Sequence, residues 1–409
     1  MDIPGLPART AALRLTDAVL RRGETLEQAG PNALQGIRSD ADRALARALA
    51  SEALRWLTDL DAMIDGATQQ RLADDTKARS VLRLMLAGWL RLETPPHAVI
   101  ATGLPLLAGG PRRLAHGVFS TLVKQGAHLP PAPTLPEAVT MRWGTRAESI
   151  AAALAEPPPL DLTLRDAAET ARWAEELGGT SLMPGHVRLP RGEAIERLAG
   201  FKEGAWWVQD LAASLPARLL GAGEGKTVLD LCAAPGGKTL QLAAAGWQVT
   251  ALDASAKRLQ RLDENLARCG LTAEVVKADA LEWDAANRFD AVLLDAPCTA
   301  TGTCRRHPDV LHRIGARHIA EMTQLQAKLL TRAGGWLKPG GQLVYAVCSL
   351  EGEEGAQQAS QVALTRDPIR AEELPSGITP SSDGWVQTSP ELLAEAGGLD
   401  GFFIARWRG

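Results

Sequence analysis

One stretch constrains the fold of this chain more than any other: Val228-Leu-Asp-Leu-Cys-Ala-Ala-Pro-Gly-Gly-Lys238. Residues 228–231, apolar apart from Asp230, predict the end of a buried strand. The Ala-Ala-Pro-Gly-Gly that follows dictates a sharp turn, and a helix opens at Lys238-Thr-Leu-Gln-Leu-Ala. A strand that runs through glycines into a helix leaves backbone N–H groups free to meet the polar atoms of a ligand. Dinucleotide sites and methyl-donor sites share this form, and the spacing is not the G-x-G-x-x-G of the nicotinamide fingerprint.

The residues after this turn predict an α/β domain. Strands are expected at 227–232, 248–253, 273–277, 289–294 and 342–347, with helices between them, and 401–407 reads as one more strand. Such a sheet binds its ligand outside the carboxyl ends of its strands. Asp253, Asp279 and Asp295 stand at or just past three successive strand ends and should project towards that one edge. A carboxylate accepts several hydrogen bonds, so Asp253 suits ribose hydroxyls and Asp279 an exocyclic amine. Any one of them alone would read as a helix N-cap. Together they suit an adenosine-containing ligand.

Upstream, residues 8–125 are expected to be all-helical. Ala78, Val81, Leu82, Met85, Trp89 and Leu92 recur at helical spacing, and Asp42-Arg-Ala-Leu-Ala-Arg-Ala-Leu-Ala is a strong helix former. The proline-rich segment 129–136 marks a boundary. Beyond it, Arg142, Trp143 and Arg146 form a basic-aromatic group expected on a solvated helix face. Residues 160–200 alternate short strand-like and helix-like pieces, a small α+β subdomain. The expected division is 1–128, 137–200 and 201–409.

Net charge is −4, so binding to a polyanion would rest on local basic clusters rather than on bulk charge. No apolar run is long enough to span a bilayer, and the N-terminus lacks the form of a signal peptide, so a cytoplasmic protein is expected. The five cysteines are too scattered for a disulfide scaffold and form no paired Cys/His zinc pattern. Reduced thiols and no metal are the expectation.

Two of those thiols fall at strand ends. Asp295-Ala-Pro-Cys-Thr-Ala-Thr-Gly-Thr-Cys-Arg-Arg-His-Pro is a loop after a predicted strand, and Leu343-Val-Tyr-Ala-Val-Cys-Ser-Leu ends another. Cys298 and Cys348 should therefore lie at the ligand edge, whereas Cys269 reads as a buried structural cysteine and Cys232 as packed under the turn. Cys304 suggests no role. Methylation at carbon 5 of cytosine could need two thiols beside a methyl donor. Addition of a thiolate to C6 makes C5 nucleophilic, and the thiol must later be expelled. One cysteine does the covalent work, the second can assist release, and the nucleophile must be at least partly ionised.

On these residues the chain resembles the RsmB/NOP (Sun/Fmu) family of RNA cytosine-5 methyltransferases. The likeness runs through Leu229-Asp-Leu-Cys-Ala-Ala-Pro-Gly-Gly-Lys-Thr239, Asp253 with Arg258 and Leu259, Asp279, Asp295-Ala-Pro-Cys298, Arg305-Arg-His-Pro-Asp309, Leu337-Lys-Pro-Gly-Gly341, Cys348-Ser-Leu with Glu353-Glu354, and Gly401-Phe-Phe-Ile-Ala-Arg406. It implies a Rossmann-like class I methyltransferase domain. It further implies S-adenosylmethionine held by Cys232, Ala233, Ala234, Pro235, Gly236, Gly237, Lys238, Asp253, Arg258, Asp279 and Asp295. Cys348 would be the nucleophile, Cys298 the thiol that assists release, and Asp295 would also face the target base. Arg305, Arg306 and His307 would meet RNA phosphates. The N-terminal region is similar to the NusB-like helical RNA-binding domain through Asp42-Arg-Ala-Leu, Val81-Leu-Arg-Leu and Pro95-Pro-His-Ala. The pairing implies the bacterial branch that modifies 16S ribosomal RNA; a monomer is expected. Val347 stands where the family usually has Thr, Gly355 where Asn is common, and His116 where Asn is typical. The same chemistry on transfer RNA, a non-catalytic RNA-binding or assembly factor, and a dinucleotide oxidoreductase are the alternatives, and the last accounts for neither cysteine.

Overall fold

The computed structural model of the chain describes residues 3–192 and 194–409. Met1 and Asp2, which begin the expected first domain, and Glu193 in the expected α+β piece lie outside the described residues. Two compact units divide the chain: Met1–Glu156 with Cys304–Ile314, and Pro157–Thr303 with Gly315–Gly409. Residues 137–156 thus fall in the first unit and 157–200 in the second.

The first unit is helical: α1 (Leu6–Arg22), α2 (Leu26–Ala33), α3 (Asp40–Arg55), α4 (Leu57–Gly66), α5 (Lys77–Leu90), α6 (Pro96–Gly103), α7 (Gly109–Lys124), α8 (Glu137–Trp143) and α9 (Ala147–Ala153). Side-chain caps start several of them. Thr25 and Gln28 close a capping box at α2, while Ser39 and Thr76 accept from backbone N–H groups at α3 and α5. The periodic run from Ala78 belongs to α5, which is buried from 78 to 88 on every face and so forms the centre of the bundle. Its two internal charges are paired. Arg79 reaches Asp61 and Asp65, and Arg83 binds both oxygens of Asp61 at 2.7 Å. Trp143, expected on a solvated face, is buried, because α8 turns it into the unit while Arg142 and Arg146 stay half-buried.

The second unit opens with an antiparallel three-stranded sheet, order β2-β1-β3, of β1 (Leu160–Leu164), β2 (His186–Leu189) and β3 (Trp206–Val208). α10 (Thr170–Glu176) joins β1 to β2. Leu162, Leu164, Trp173, Val187 and Trp206 are its core. Asp161, fully buried on β1, accepts from Arg188 Nε and Nη2 at 2.6 and 2.8 Å and from the Leu211 backbone N–H at 3.0 Å. That last bond ties the small sheet to α11 (Leu211–Arg218).

The main sheet carries eight strands. β4 (Thr227–Leu231), α12 (Gly237–Ala244), β5 (Gln248–Asp253), α13 (Ala256–Cys269), β6 (Glu274–Lys277), β7 (Phe289–Asp295), α14 (Ala316–Gly335) and β8 (Leu337–Val347) follow one another. Short β9 (Thr365–Arg366) and β10 (Val386–Gln387) precede β11 (Phe403–Arg408). The order is β10-β11-β8-β7-β4-β5-β6, parallel from β8 to β6 and antiparallel at β11, with β9 also on β11. Both faces are covered, which is why the strands read as apolar runs rather than alternations. Val228, Ala251, Leu293 and Val344 face one core; Leu229, Leu231, Leu294, Leu343 and Tyr345 face the other. β4 sits at the switch point, with β5 on one side and β7 on the other, so its carboxyl end opens a crevice. Among the described residues no helix is long and apolar enough to cross a membrane.

Candidate active site

The turn after β4 is held by side chains rather than left open. Cys232 takes a left-handed φ of 62°, and Gly236 sits at φ 109°, where a Cβ would come within 2.3 Å of Leu262 Cδ1. Gly237 then starts α12. Asp253, at the end of β5, is buried. Its Oδ2 accepts from the Ala234 N–H at 3.2 Å and its Oδ1 from the Ser255 N–H at 2.8 Å. Arg258, one turn into α13, donates to the Ala234 carbonyl and lies 3.4 Å from Asp253. Asp253 and Arg258 thus brace the turn from behind, a structural duty the sequence did not reveal. The spare lone pairs of the carboxylate remain for a ligand. Asp279 is exposed and caps the turn after β6 through the Leu281 N–H at 2.8 Å. Both readings of that residue, cap and ligand acceptor, are compatible, since one oxygen suffices for the cap.

Asp295 ends β7 half-buried and accepts from Lys238 Nζ at 2.7 Å. Burial would lower the Lys238 ammonium, but the charge and hydrogen bond of Asp295 outweigh it and hold the lysine above its ordinary value. Lys238 also lies 5.3 Å over the ring of Phe402. Asp230, noted in the sequence only as the break in an apolar run, is fully buried on β4. Its Oδ2 accepts from Thr239 at 2.6 Å, while Oδ1 has no hydrogen-bond partner. Burial first, and then the charge of Asp295, push its carboxyl up to about 7. Burial and the same group of carboxylates push the Cys232 thiol up to about 12, which keeps it protonated. This acidic edge fits S-adenosylmethionine. The donor carries a sulfonium and an ammonium, which carboxylates favour, and its adenosine hydroxyls and amine need acceptors.

The two loop cysteines meet. Cys298 Sγ and Cys348 Sγ are 3.4 Å apart, both partly buried, although they are far apart in sequence. Their loops are zipped together by backbone bonds, Ala296 N–H to Ala346 O at 2.9 Å and Gly302 N–H to Cys348 O at 3.0 Å. Gly302 is required by close approach, because a Cβ there would lie 1.9 Å from the Gly401 carbonyl oxygen. The hydrogen bond to Cys348, then burial, hold the Cys298 thiol well above its ordinary value. Cys269 and Cys304 are buried, as a structural cysteine is. Val347 is buried in β8, so the side chain preceding Cys348 points into the core.

The basic triplet is divided. Arg305 is buried, 1% exposed, and its carbonyl accepts from Arg55 Nη2 at 2.8 Å, because residues 304–314 pack within the helical unit. Its guanidinium does not present the solvated contact expected of a phosphate ligand. Arg306 is half-buried and His307 exposed. Glu354, Thr299, Ser349 and Gln326 form a buried polar cluster under the cysteine loops. The sequence carried Thr299, Ser349 and Glu354 only inside its quoted stretches, with no role for any of them, and Gln326 not at all.

Residues 217–408 match the family described as 16S rRNA methyltransferase RsmB/F, and residues 6–106 match the NusB family. The chain is 35% identical to Ribosomal RNA small subunit methyltransferase B of Klebsiella pneumoniae subsp. pneumoniae, covering 97% of each protein. A solved methyltransferase homolog protein from Pyrococcus horikoshii is 28% identical with a TM-score of 0.55, over 66% of this chain and 93% of that one. NSun6 from the same organism, solved with SFG, shares the fold at 20% identity and a TM-score of 0.59, over 67% of this chain and 98% of that one.

Proposed function

We propose, for a chain that belongs to the 16S rRNA methyltransferase RsmB/F family and is an S-adenosylmethionine-dependent RNA methyltransferase, that it methylates carbon 5 of a cytosine in 16S ribosomal RNA. The observation that carries this reading is the pair of thiols 3.4 Å apart beside the acidic edge of the sheet. S-adenosylmethionine, when bound, supplies an electrophilic methyl group. Cys348 forms a bond to C6 of the target ring, and the displaced electron pair makes C5 nucleophilic. After C5 has gained its methyl group, the C5 proton passes to a water molecule, and the C5–H electron pair forms the C5=C6 double bond as the C6–S bond breaks, its own pair leaving with Cys348 as thiolate. Cys298, whose thiol the hydrogen bond to Cys348 and burial hold above its ordinary value, assists that release. Lys238 and Asp295 hold one another at the crevice, where Asp295 faces the base. Two thiols and a methyl donor account for every bond, so the reading needs no metal, and it takes the enzyme as a cytoplasmic monomer. The target base leaves its stack to reach Cys348.

A covalent-adduct gel tests this. Small-subunit RNA and S-adenosylmethionine are incubated with the native protein, Cys298→Ala and Cys348→Ala. A slow, denaturant-stable protein–RNA species is expected with Cys298→Ala and none with Cys348→Ala. Methyl transfer by Cys348→Ala at the native rate would refute the assignment of the nucleophile, and methylation of transfer RNA alone would refute the substrate.

A further inference from the structure

Cys298 and Cys348 ride on different loops, so their separation is set by whatever ties those loops together. Beneath them lies Glu354, fully buried, with four donors converging on its two carboxylate oxygens. Oε1 accepts from the Thr299 backbone N–H at 2.9 Å and from Gln326 Nε2 at 2.9 Å. Oε2 accepts from the Thr299 hydroxyl and, at 2.5 Å, from the Ser349 hydroxyl. Thr299 directly follows Cys298 and Ser349 directly follows Cys348, so one carboxylate grips the residue next to each thiol. Gln326, on α14, spends its second N–H on the Pro297 carbonyl at 2.9 Å, immediately before Cys298. The backbone of Glu354 is anchored in turn, since its carbonyl accepts from the Tyr345 hydroxyl at 2.7 Å. An ionised carboxylate is acceptor-only with room for about four donors, and these four fill it.

We infer that Glu354 is the positioning residue of the thiol pair, the group that holds the Cys298 and Cys348 loops at the separation the two-thiol reaction uses. The inference rests on the reading of Cys348 and Cys298 given above. Glu354 touches neither thiol through a hydrogen bond; it acts through Thr299, Ser349 and Gln326. Its charge adds to the causes that keep the Cys298 proton in place, behind the hydrogen bond to Cys348 and burial. A buried carboxylate with every lone pair filled resists displacement, which suits a clamp that must survive entry of an RNA base.

Two substitutions separate a clamp from mere filling of space. Glu354→Ala deletes all four acceptor contacts. Glu354→Gln keeps an oxygen for Thr299 N–H and Gln326, and its amide N–H₂ can donate to the two hydroxyl oxygens, which rotate to accept. In the full-length protein with small-subunit RNA, Glu354→Ala is expected to lose on the order of 100-fold in kcat, as an ångström of misplacement does. KM for RNA and the calorimetric Kd for S-adenosylmethionine should stay within about threefold of native, since neither site includes Glu354. Glu354→Gln should recover kcat to within about tenfold of native. Adduct accumulation in the Cys298→Ala background should fall with Glu354→Ala and return with Glu354→Gln. If Glu354→Ala no longer binds S-adenosylmethionine, Thr299→Val and Ser349→Ala replace it, each removing one donor; kcat should then fall in both with Kd preserved, and unchanged kcat in both overturns the inference. A Glu354→Ala protein turning over within threefold of native, or a Glu354→Gln protein as impaired as Glu354→Ala, also overturns it. Cys348→Ala is the companion control. If it still methylates, the thiol reading fails; if it is dead while Glu354→Ala is unimpaired, only the clamp fails.

Discussion

Replacing Asp230 with Asn should make this protein more stable at neutral pH and leave it nearly unchanged in mild acid. Asp230 is fully buried in β4, with one oxygen on Thr239 and the other unpartnered. Burial, reinforced by the Asp295 charge, raises its carboxyl from 3.8 to about 7. A group whose folded value is raised binds its proton more tightly in the native state. Between about pH 4 and pH 7 the folded chain then keeps a proton that the unfolded chain has released. Stability accordingly falls as pH rises, by up to about 1.4 kcal/mol per unit. Above pH 7 the full penalty is in force, about 4 kcal/mol from a shift of roughly three units. Asn has the same shape, can accept from Thr239, and carries no charge at any pH. The stability of Asp230→Asn relative to native should be near zero at pH 4 and grow to about 4 kcal/mol at pH 8. Because the chain has two units, the assay is hydrogen exchange by mass spectrometry on the peptide spanning β4, in a urea series at pH 5, 6, 7 and 8. That reports the opening of the sheet unit by itself. Distant carboxylates titrate alike in both proteins and cancel in the difference. A difference flat across pH within about 0.5 kcal/mol, or one that shrinks as pH rises, would refute the reasoning.

Two further outcomes follow from the packing. Gly302→Ala places a Cβ 1.9 Å from the Gly401 carbonyl oxygen, a backbone atom that cannot move aside cheaply, so methyl transfer should fall at least about tenfold. Native activity in Gly302→Ala would show that the loops adjust. Asp161→Asn leaves Arg188 buried with a neutral partner in the small sheet, and calorimetry should register a loss of about 3 kcal/mol or more. A loss under about 1 kcal/mol would mean that the pair is solvated.

The methyltransferase sheet was legible because its signals are local. Buried parallel strands are continuous apolar runs, and the expected 227–232, 248–253, 273–277 and 289–294 fall on β4 to β7 within a residue or so at either end. β8 begins earlier than expected, at Leu337, because Leu337 already pairs with Phe289 of β7, and the Pro339-Gly340-Gly341 segment is carried as an irregularity before pairing resumes at Gln342. The short β3 at Trp206–Val208 has its partner β1 some forty residues upstream, so no local pattern announces it. The same non-locality hid the burial of Arg305. Arg-Arg-His-Pro reads as a basic loop, and only the packing of residues 304–314 into the helical unit takes its first arginine out of solvent.

What the sequence determined alone was chemistry and order: a glycine turn after β4, acids at three strand ends, thiols at two, and a helical region before them. Residue type and period decide these, and both are written within a few residues of each site. The tertiary structure alone decided which of those groups share a space and what each is free to do. It brings Cys298 within 3.4 Å of Cys348, commits Asp253 and Arg258 partly to bracing the turn, and raises the proton affinity of Asp230 by burial. It also gathers Thr299, Gln326, Ser349 and Glu354 from distant segments into one buried cluster. Distance and desolvation are properties of the packed chain. They set proton affinity and reach, and neither is encoded in the spacing of any single motif.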